Sequence, residues 1–347
     1  MADTPVLAPI ARRTLGRSGL AVSEICLGTM MFGDRTEEAE ARRIVDHARD
    51  LGVNFIDTAD GYAQGRSEEI TGRAIKAERR HWIVATKVGS AHKDHKTTGR
   101  SGLARRYVMQ SCDDSLARLG LDHIDIYYTH RVDPLVPWGD VVATFGDLIR
   151  SGKIRYWGLS NVRAWHIPEI VHQCRTQSVP QPVVLQPYYN IMTRQPETEL
   201  LPAARAYDIG IASYSPIARG ILSGKYKPDA APDPETRAGR GDRRMLEAEW
   251  RPESVAIAEQ LARHAEARGS SLIEFALAWV LNNRAVSAVI AGPRTLDQWQ
   301  SYLGYARLPW RVEDEAIVDR LVPAGHASTH GHTDPAYPIE GRFPSVA

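Results

Sequence analysis

Apolar residues along this chain fall into two alternating rhythms. Short runs rich in β-branched and aromatic residues begin near Ile25 (EICLGTM), Val53 (VNFIDTA), Trp82 (WIVATKV), Ile124 (IDIYYTH), Ile154 (IRYWGLS), Val183 (VVLQPYY), Ile209 (IGIASYS) and Val286 (VSAVIAG). Within each run neighbouring positions are apolar instead of alternating with polar ones, as expected of strands covered on both faces of a parallel sheet. The first six steps between starts are 28, 29, 42, 30, 29 and 26 residues, around the roughly 30 residues that a strand and its crossover helix need. The seventh step is 77.

Between the runs the period lengthens. Ala41, Ile44, Val45, Ala48 and Leu51 share one helical face, with charged residues between them and Gly52 as a stop. Val108, Cys112, Ser115, Leu116 and Leu119 repeat the pattern, ended by Gly120. Ahead of the first run, RRTLGRSGLAV reads as two short strands about a Gly-Arg-Ser-Gly turn, a hairpin that can cap one end of a barrel. The 77-residue step opens with a stretch from 215 to about 251, dense in Pro, Gly, Asp and Arg, which reads as a long loop, functional or disordered. Two helices follow at 254–269 and 271–282, and an amphipathic stretch at 312–322 precedes a tail of Pro, Gly and His.

Eight strand-and-helix units without a break in composition predict an α/β fold, a single (β/α)₈ TIM barrel occupying residues 1–347. The barrel and its added helices span about 12–322 and the tail 323–347, with the hairpin in front, the long loop after the seventh strand and a helix at the end. A doubly wound sheet in two domains is the alternative, but no strand is followed by the GxGxxG phosphate loop of that architecture.

Composition removes several function classes. Lys and Arg number 43 against 42 Asp and Glu, a net charge of +1, so no global field recruits nucleic acid or an anionic membrane and neither is an expected partner. Cys26, Cys112 and Cys174 are odd in number and form no CxxC pair, which argues for a reducing compartment and against a disulfide frame or zinc site. Residues 1–13 lack an apolar signal core, and no stretch approaches the roughly 20 apolar residues of a spanning helix. A cytoplasmic enzyme is expected, with no metal.

In a (β/α)₈ barrel the chemistry sits at the C-terminal strand ends. Those ends carry Asp57 after VNFI, Lys87 after WIVAT, His130 after IDIYYT, Ser160 and Asn161 after IRYWGL, and Gln186 after VVL, while Tyr62 follows Asp57 by five positions. A carboxylate, an ammonium and an imidazole thus face one mouth, and a phenol reaches in from a loop. A free phenol titrates near ~10, and an adjacent ammonium lowers that value by stabilising the phenolate. Asp57 is expected to hold Lys87 charged, and His130 to orient a carbonyl oxygen beside the Tyr62 hydroxyl. With a hydride donor across the mouth, these groups suit carbonyl reduction and its reverse.

The motifs FIDTADGY, ATK and DIYYTH, with GRSEEITGRAI after the tyrosine and SLARLGLDHIDIYYTHRVD before the histidine, resemble the aldo-keto reductase superfamily over nearly the whole chain. YSPIARGILSGKY is similar to the bacterial and potassium-channel β-subunit-like branch, whose members bind NADPH. The resemblance implies a tetrad of Asp57, Tyr62, Lys87 and His130 and an NADPH-dependent oxidoreductase acting on a small carbonyl or alcohol, with NADH as a substitute cofactor. It implies cofactor contacts from Gly28, Thr29 and Met30; from Ser160, Asn161 and Gln186 to the carboxamide; and from Tyr214 to the nicotinamide ring. Ser215, Pro216, Ile217, Ala218, Leu222, Gly224 and Lys225 match the loop over the pyrophosphate, and Gly292, Arg294 and Gln298 the turn that receives the adenosine phosphate. Arg294 favours NADPH because a guanidinium holds a 2′-phosphate in a fork. Where relatives often carry Glu and Asn against adenine, this chain has Ser301 and Tyr302. The channel-subunit likeness also admits an NADPH-sensing or partner-binding protein with slow turnover.

Singly, these residues have plain readings. An Asp and a Lys at adjacent strand ends make a structural ion pair, a lone His is a satisfied polar group, and Tyr62 is a loop aromatic. Their joint order and the downstream cofactor segments favour chemistry. His326, His330 and His332 lack metal-ligand spacing and read as a solvated or mouth-lining tail. The run TRAGRGDRR lacks interleaved aromatics and lies in the loop expected near the cofactor phosphates, where Arg237 reads either as a second phosphate contact or as part of a solvated loop. His92, Lys93 and His95 read as exposed loop, and Trp82, Trp157 and Trp279 as core.

Overall fold

Eight parallel strands close on themselves in the order of the chain. The computed structural model describes residues 10–89, 102–228 and 230–337. Its barrel consists of β3 (Ile25–Gly28), β4 (Phe55–Asp57), β5 (Ile83–Val88), β6 (Ile124–Thr129), β7 (Ile154–Ser160), β8 (Val184–Gln186), β9 (Gly210–Tyr214) and β10 (Val286–Ala291), with β10 returning to β3. Each begins within two residues of a predicted run. Outside the barrel wall lie α1 (Glu38–Asp50), α2 (Arg66–Ile75), α3 (Arg105–Leu119), α4 (Trp138–Arg150), α5 (His166–Thr176), α6 (Leu200–Ala206), α8 (Pro252–Ala267), α9 (Leu272–Asn282), α10 (Leu296–Tyr302) and α11 (Val312–Leu321). Ala41, Ile44, Val45 and Ala48 of α1 are buried, as their spacing requires. The described residues hold no helix long and apolar enough to cross a membrane.

Two apolar clusters follow from the period of two along a strand. Outward positions such as Leu27, Ile56, Val84 and Tyr127 meet the helices, where Trp82, Trp157 and Trp279 also lie buried. Inward positions Cys26, Phe55, Ala85, Ile126, Tyr128, Val184, Ala212 and Ala288 fill the barrel. Two residues further along their strands the same inward face carries Asp57, Lys87, His130, Gln186 and Tyr214. Register lines up this upper layer: Gly28 pairs with Asp57, Lys87 with Tyr128, and Ser160 with Gln186. Gly158 leaves space for the Tyr128 ring, since a Cβ there would lie 2.6 Å from it.

The predicted hairpin forms from β1 (Arg12–Thr14) and β2 (Ala21–Ser23) and closes the end opposite the mouth. Leu15 and Val22 join the inner cluster with no exposed surface. Gly16, at φ +53, sits against the backbone of Gly210 and Asp208 so tightly that any Cβ would clash.

The stretch read as a long loop is only partly one. A 3-10 turn occupies Ala218–Ser223, and α7 (Arg243–Ala248) is capped by the Asp242 side chain, which accepts from the Met245 N–H. The tail is fastened by strand-like contacts, with Ala327 bridged to Thr193 and the Arg194 N–H donating to the His326 carbonyl at 2.8 Å. It then reaches the mouth, where Arg244 grips Asp334 through two bonds of 2.9 and 2.6 Å and Tyr337 joins the lining. His92, Lys93 and His95 lie outside the described residues.

Candidate active site

A cavity of about 580 Å³ opens at the C-terminal end of the barrel. At its base Lys87, with no exposed surface, donates to the Asp57 carboxylate, to the Thr58 carbonyl at 2.7 Å and to the Tyr62 hydroxyl at 3.2 Å. Gln186 donates to the second Asp57 oxygen at 2.9 Å. The His130 ring stands edge-on to Tyr62 with centroids 6.0 Å apart. All four residues named from strand ends and the following loop therefore meet.

Tyr62 is placed by a sharp connection. After β4 the backbone makes a 3-10 turn in which Ala63 and Gln64 adopt left-handed conformations, followed by Gly65 at φ +90. Ser67, buried at the start of α2, bonds the Thr29 and Thr58 hydroxyls at 2.9 Å each. Glu68, also buried, accepts from Thr86 at 2.5 Å and from Arg118 of α3 at 2.6 Å. These bonds tie the connection to the barrel and to two helices. Six of the eight non-glycine residues with positive φ among those described are Ala63, Gln64, Asn161, Ser215, Ala218 and Arg219, all in connections at the mouth.

Burial penalises the Lys87 ammonium, but Asp57 and Tyr62 more than offset this and hold it above its ordinary value. The Tyr62 hydroxyl departs from expectation. Burial raises it above the ordinary phenol value, and Lys87, which does favour the phenolate, offsets only part of that rise. Burial, then the charges of Lys87 and Arg131, push His130 well below the usual imidazole value, so it is neutral at pH 7.

Above this base lie the groups expected to meet a cofactor. Asn161 donates to the His130 carbonyl at 2.8 Å and to Ser160 at 3.0 Å, and accepts from the Tyr214 hydroxyl at 2.8 Å. Tyr214 stacks on Tyr188, whose hydroxyl donates to buried Glu249. Gly28, Thr29, Met30, Ser215, Pro216, Ile217, Lys225, Arg237, Gly292, Arg294 and Gln298 line the cavity. Ala218 and Leu222 instead pack with no exposed surface in the core under the loop, and Gly224, at φ +78, ends the 3-10 turn. The Gln298 side chain accepts from the Arg294 N–H at 2.9 Å, and so shapes the turn.

Lys225, Arg237, Arg240 and Arg294 crowd together. Burial and the three neighbouring guanidinium groups push the Lys225 ammonium down. Burial, Arg219 and Arg294 depress Arg237, against which Asp242 stands 3.8 Å away. Such a concentration of like charge at the rim fits a polyanion, and its continuity with the stacking face of Tyr214 fits a dinucleotide. Arg131, which opens the loop after the fourth strand expected to shape substrate choice, lines the cavity, as do Arg219 and Arg244, which were missed as site residues. The sequence holds Arg219 inside a quoted motif, but nothing in its spacing marks it as lining. Among the described residues no three His, Cys, Asp or Glu side chains gather as a metal site.

Comparison with known proteins adds independent findings. The sequence pattern described as the Aldo/keto reductase family matches residues 24–323. The chain is 36% identical over 325 residues to the uncharacterized oxidoreductase YrpG of Bacillus subtilis, covering 91% of this chain and 97% of that one. It is 36% identical over 324 residues to a putative voltage-gated potassium channel subunit beta of Schizosaccharomyces pombe, covering 90% of each. A probable channel subunit beta of Oryza sativa is 34% identical over 288 residues, covering 81% of this chain and 86% of that one.

Proposed function

The chain belongs to the aldo/keto reductase family of oxidoreductases, and from that premise we propose that it reduces an aldehyde or ketone with NADPH, reversibly, with Tyr62 as proton donor. The observation that carries the reading is the buried relay in which one ammonium, Lys87, bonds both Asp57 and the Tyr62 hydroxyl.

Nicotinamide, when bound, supplies the hydride to the carbonyl carbon. Tyr62 is protonated at neutral pH, since an ordinary phenol titrates near ~10 and burial raises this hydroxyl further, so it has a proton to give. As that proton leaves, the phenolate forms 3.2 Å from the Lys87 ammonium, which stabilises the charge. Asp57, oriented by Gln186, fixes Lys87 in that position. Neutral His130, edge-on to Tyr62, is placed to donate a ring N–H to the carbonyl oxygen. Ser160, Asn161 and Gln186 are the groups to hold the carboxamide, Tyr214 the ring, Lys225 and Arg237 the pyrophosphate, and Arg294 the 2′-phosphate. Small-molecule substrate then occupies the part of the mouth beside Tyr62 and His130.

Steady-state turnover over a panel of aldehydes and ketones with NADPH and NADH, in both directions, tests the proposal. Tyr62→Phe is expected to lower kcat by roughly 10²- to 10⁴-fold while NADPH still binds, read by its fluorescence. Full activity in that variant refutes the mechanism. Tight NADPH binding with no efficient carbonyl substrate favours instead a nucleotide-sensing or partner-binding protein, the second reading that the potassium-channel relatives support.

A further inference from the structure

The mouth carries more arginines than the reading above assigns to the dinucleotide. Lys225, Arg237 and Arg294 are matched to its phosphates in the reading above, and Arg244 is neutralised by the paired bonds to Asp334. Arg219 and Arg131 are left over. Among the described residues no hydrogen bond or ion pair engages the Arg219 side chain, and its Nε is buried without an acceptor. A buried donor without an acceptor costs free energy that a ligand oxygen can recover.

The backbone places Arg219 at considerable strain. Ala218 and Arg219 are consecutive left-handed residues at φ 47 and 50, followed by Gly220 at φ 108. Non-glycine residues hold this conformation only where the surroundings impose it, commonly at ligand clamps. Arg219 lines the same cavity as Tyr62, and its charge reaches the Tyr62 and Tyr337 hydroxyls, favouring the ionised form of each. Arg131, directly after His130, lines the cavity as well, with its guanidinium carbon 5.6 Å from the centre of the Tyr337 ring. Arg219 and Arg131 thus line the same cavity as Tyr62 and His130.

We propose that Arg219, assisted by Arg131, binds a carboxylate carried by the substrate, which makes the substrate class aldehydes or ketones bearing a carboxylate a few bonds from the carbonyl. The proposal rests on the reductase reading and names the substrate of that same site. A carboxylate accepts two parallel bonds from one guanidinium, which orients the molecule as well as holding it. The carbonyl is then presented to Tyr62 in one pose instead of several.

The test uses size-matched pairs, 4-carboxybenzaldehyde with 4-isopropylbenzaldehyde and succinic semialdehyde with pentanal, assayed with NADPH. In the wild type, kcat/KM is expected to favour the carboxylate member about tenfold or more, and Arg219→Gln to lower that ratio roughly 10- to 100-fold, mainly through KM. Arg219→Lys, which keeps the charge and loses the fork, restores part of the ratio. A wild-type ratio near one overturns the proposal. So does a ratio that Arg219→Gln leaves unchanged while the KM for NADPH rises, which assigns Arg219 to the cofactor's pyrophosphate. Titration of benzoate and benzamide into the enzyme–NADPH complex, read by NADPH fluorescence, separates this proposal from the reading beneath it. Benzoate binding that Arg219→Gln abolishes, with no carbonyl reduced, supports the anion site and overturns the reductase assignment. Benzoate binding no tighter than benzamide overturns the anion site.

Discussion

Replacing Lys87 with Met probes the pair on which the site is built. Met keeps an unbranched chain in a fully buried position but removes the ammonium from Asp57, whose side chain is 3% exposed. Stranding one member of a buried pair costs about 3–5 kcal/mol, and the donor lost by the Thr58 carbonyl adds about 1 kcal/mol. Unfolding entropy of about 2.1 cal/mol/K per residue gives about 0.7 kcal/mol/K for a chain of this length, so Tm should fall by about 5–8 °C. The double variant Asp57→Asn, Lys87→Met removes both charges and should regain most of the loss, with a coupling of about 3 kcal/mol. The pH dependence has a definite sign. Burial already raises the Asp57 carboxyl with Lys87 present, and without Lys87 its folded value rises further above the unfolded ~3.9. A group raised in the folded state stabilises below its unfolded pKa and loses that contribution as pH rises through the folded one. The deficit of Lys87→Met should therefore be smallest near pH 4 and grow toward pH 8, by thermal and urea unfolding followed with circular dichroism. A loss under about 1 kcal/mol, a double variant as unstable as the single one, or a deficit independent of pH refutes the reasoning.

Arg294→Ala should weaken NADPH binding by roughly 10- to 100-fold and NADH binding far less; equal losses remove Arg294 as the phosphate reader. Gly158→Ala puts a Cβ 2.6 Å from Tyr128 and 2.7 Å from Val184, an overpacking expected to cost about 1–3 kcal/mol, and an unchanged urea midpoint would contradict it. Asp60 is buried without a side-chain partner, and burial, followed by the charge of Glu68, pushes it up to about 7 against the opposing pull of the Gly61 N–H. Its contribution is full below the unfolded ~3.9 and lost as pH rises through about 7, so Asp60→Asn should gain stability relative to wild type between about pH 4 and 7. A stability difference that stays flat across that window would sink the assignment.

The strands were legible because residues such as Ile56 and Val84 meet helices while their neighbours Phe55 and Ala85 meet the barrel interior, leaving both positions apolar. The meeting of Asp57, Lys87 and His130 was legible because strand ends in such a barrel share one rim. What escaped sequence reasoning depends on contacts between distant segments. Nothing in the spacing announces that Glu68 and Arg118, 50 residues apart, meet behind Tyr62. Nor does it announce that a polar tail returns to the mouth through Asp334 and Tyr337. The net shift of Tyr62 escaped for the same reason, since the ammonium beside it is visible in the order of motifs but the depth of burial is a tertiary quantity. Ala218 and Leu222 carry the family pattern, yet their surroundings are core.

The hairpin at the far end of the barrel bears on the order of assembly. Arg13 donates to the carbonyls of Leu281 and Val286 at 2.9 and 2.8 Å, Ser287 donates to the Thr14 carbonyl at 3.1 Å, and the Arg17 N–H donates to the Asp208 carbonyl at 3.0 Å. Synthesis runs from the N-terminus, so the hairpin, made ahead of the barrel strands, waits for most of them before its docking surface exists. Until then Leu15 and Val22 have no inner cluster to join, and closing so long a loop carries an entropic cost that slows folding. The hairpin is a stopper fitted after the vessel is formed.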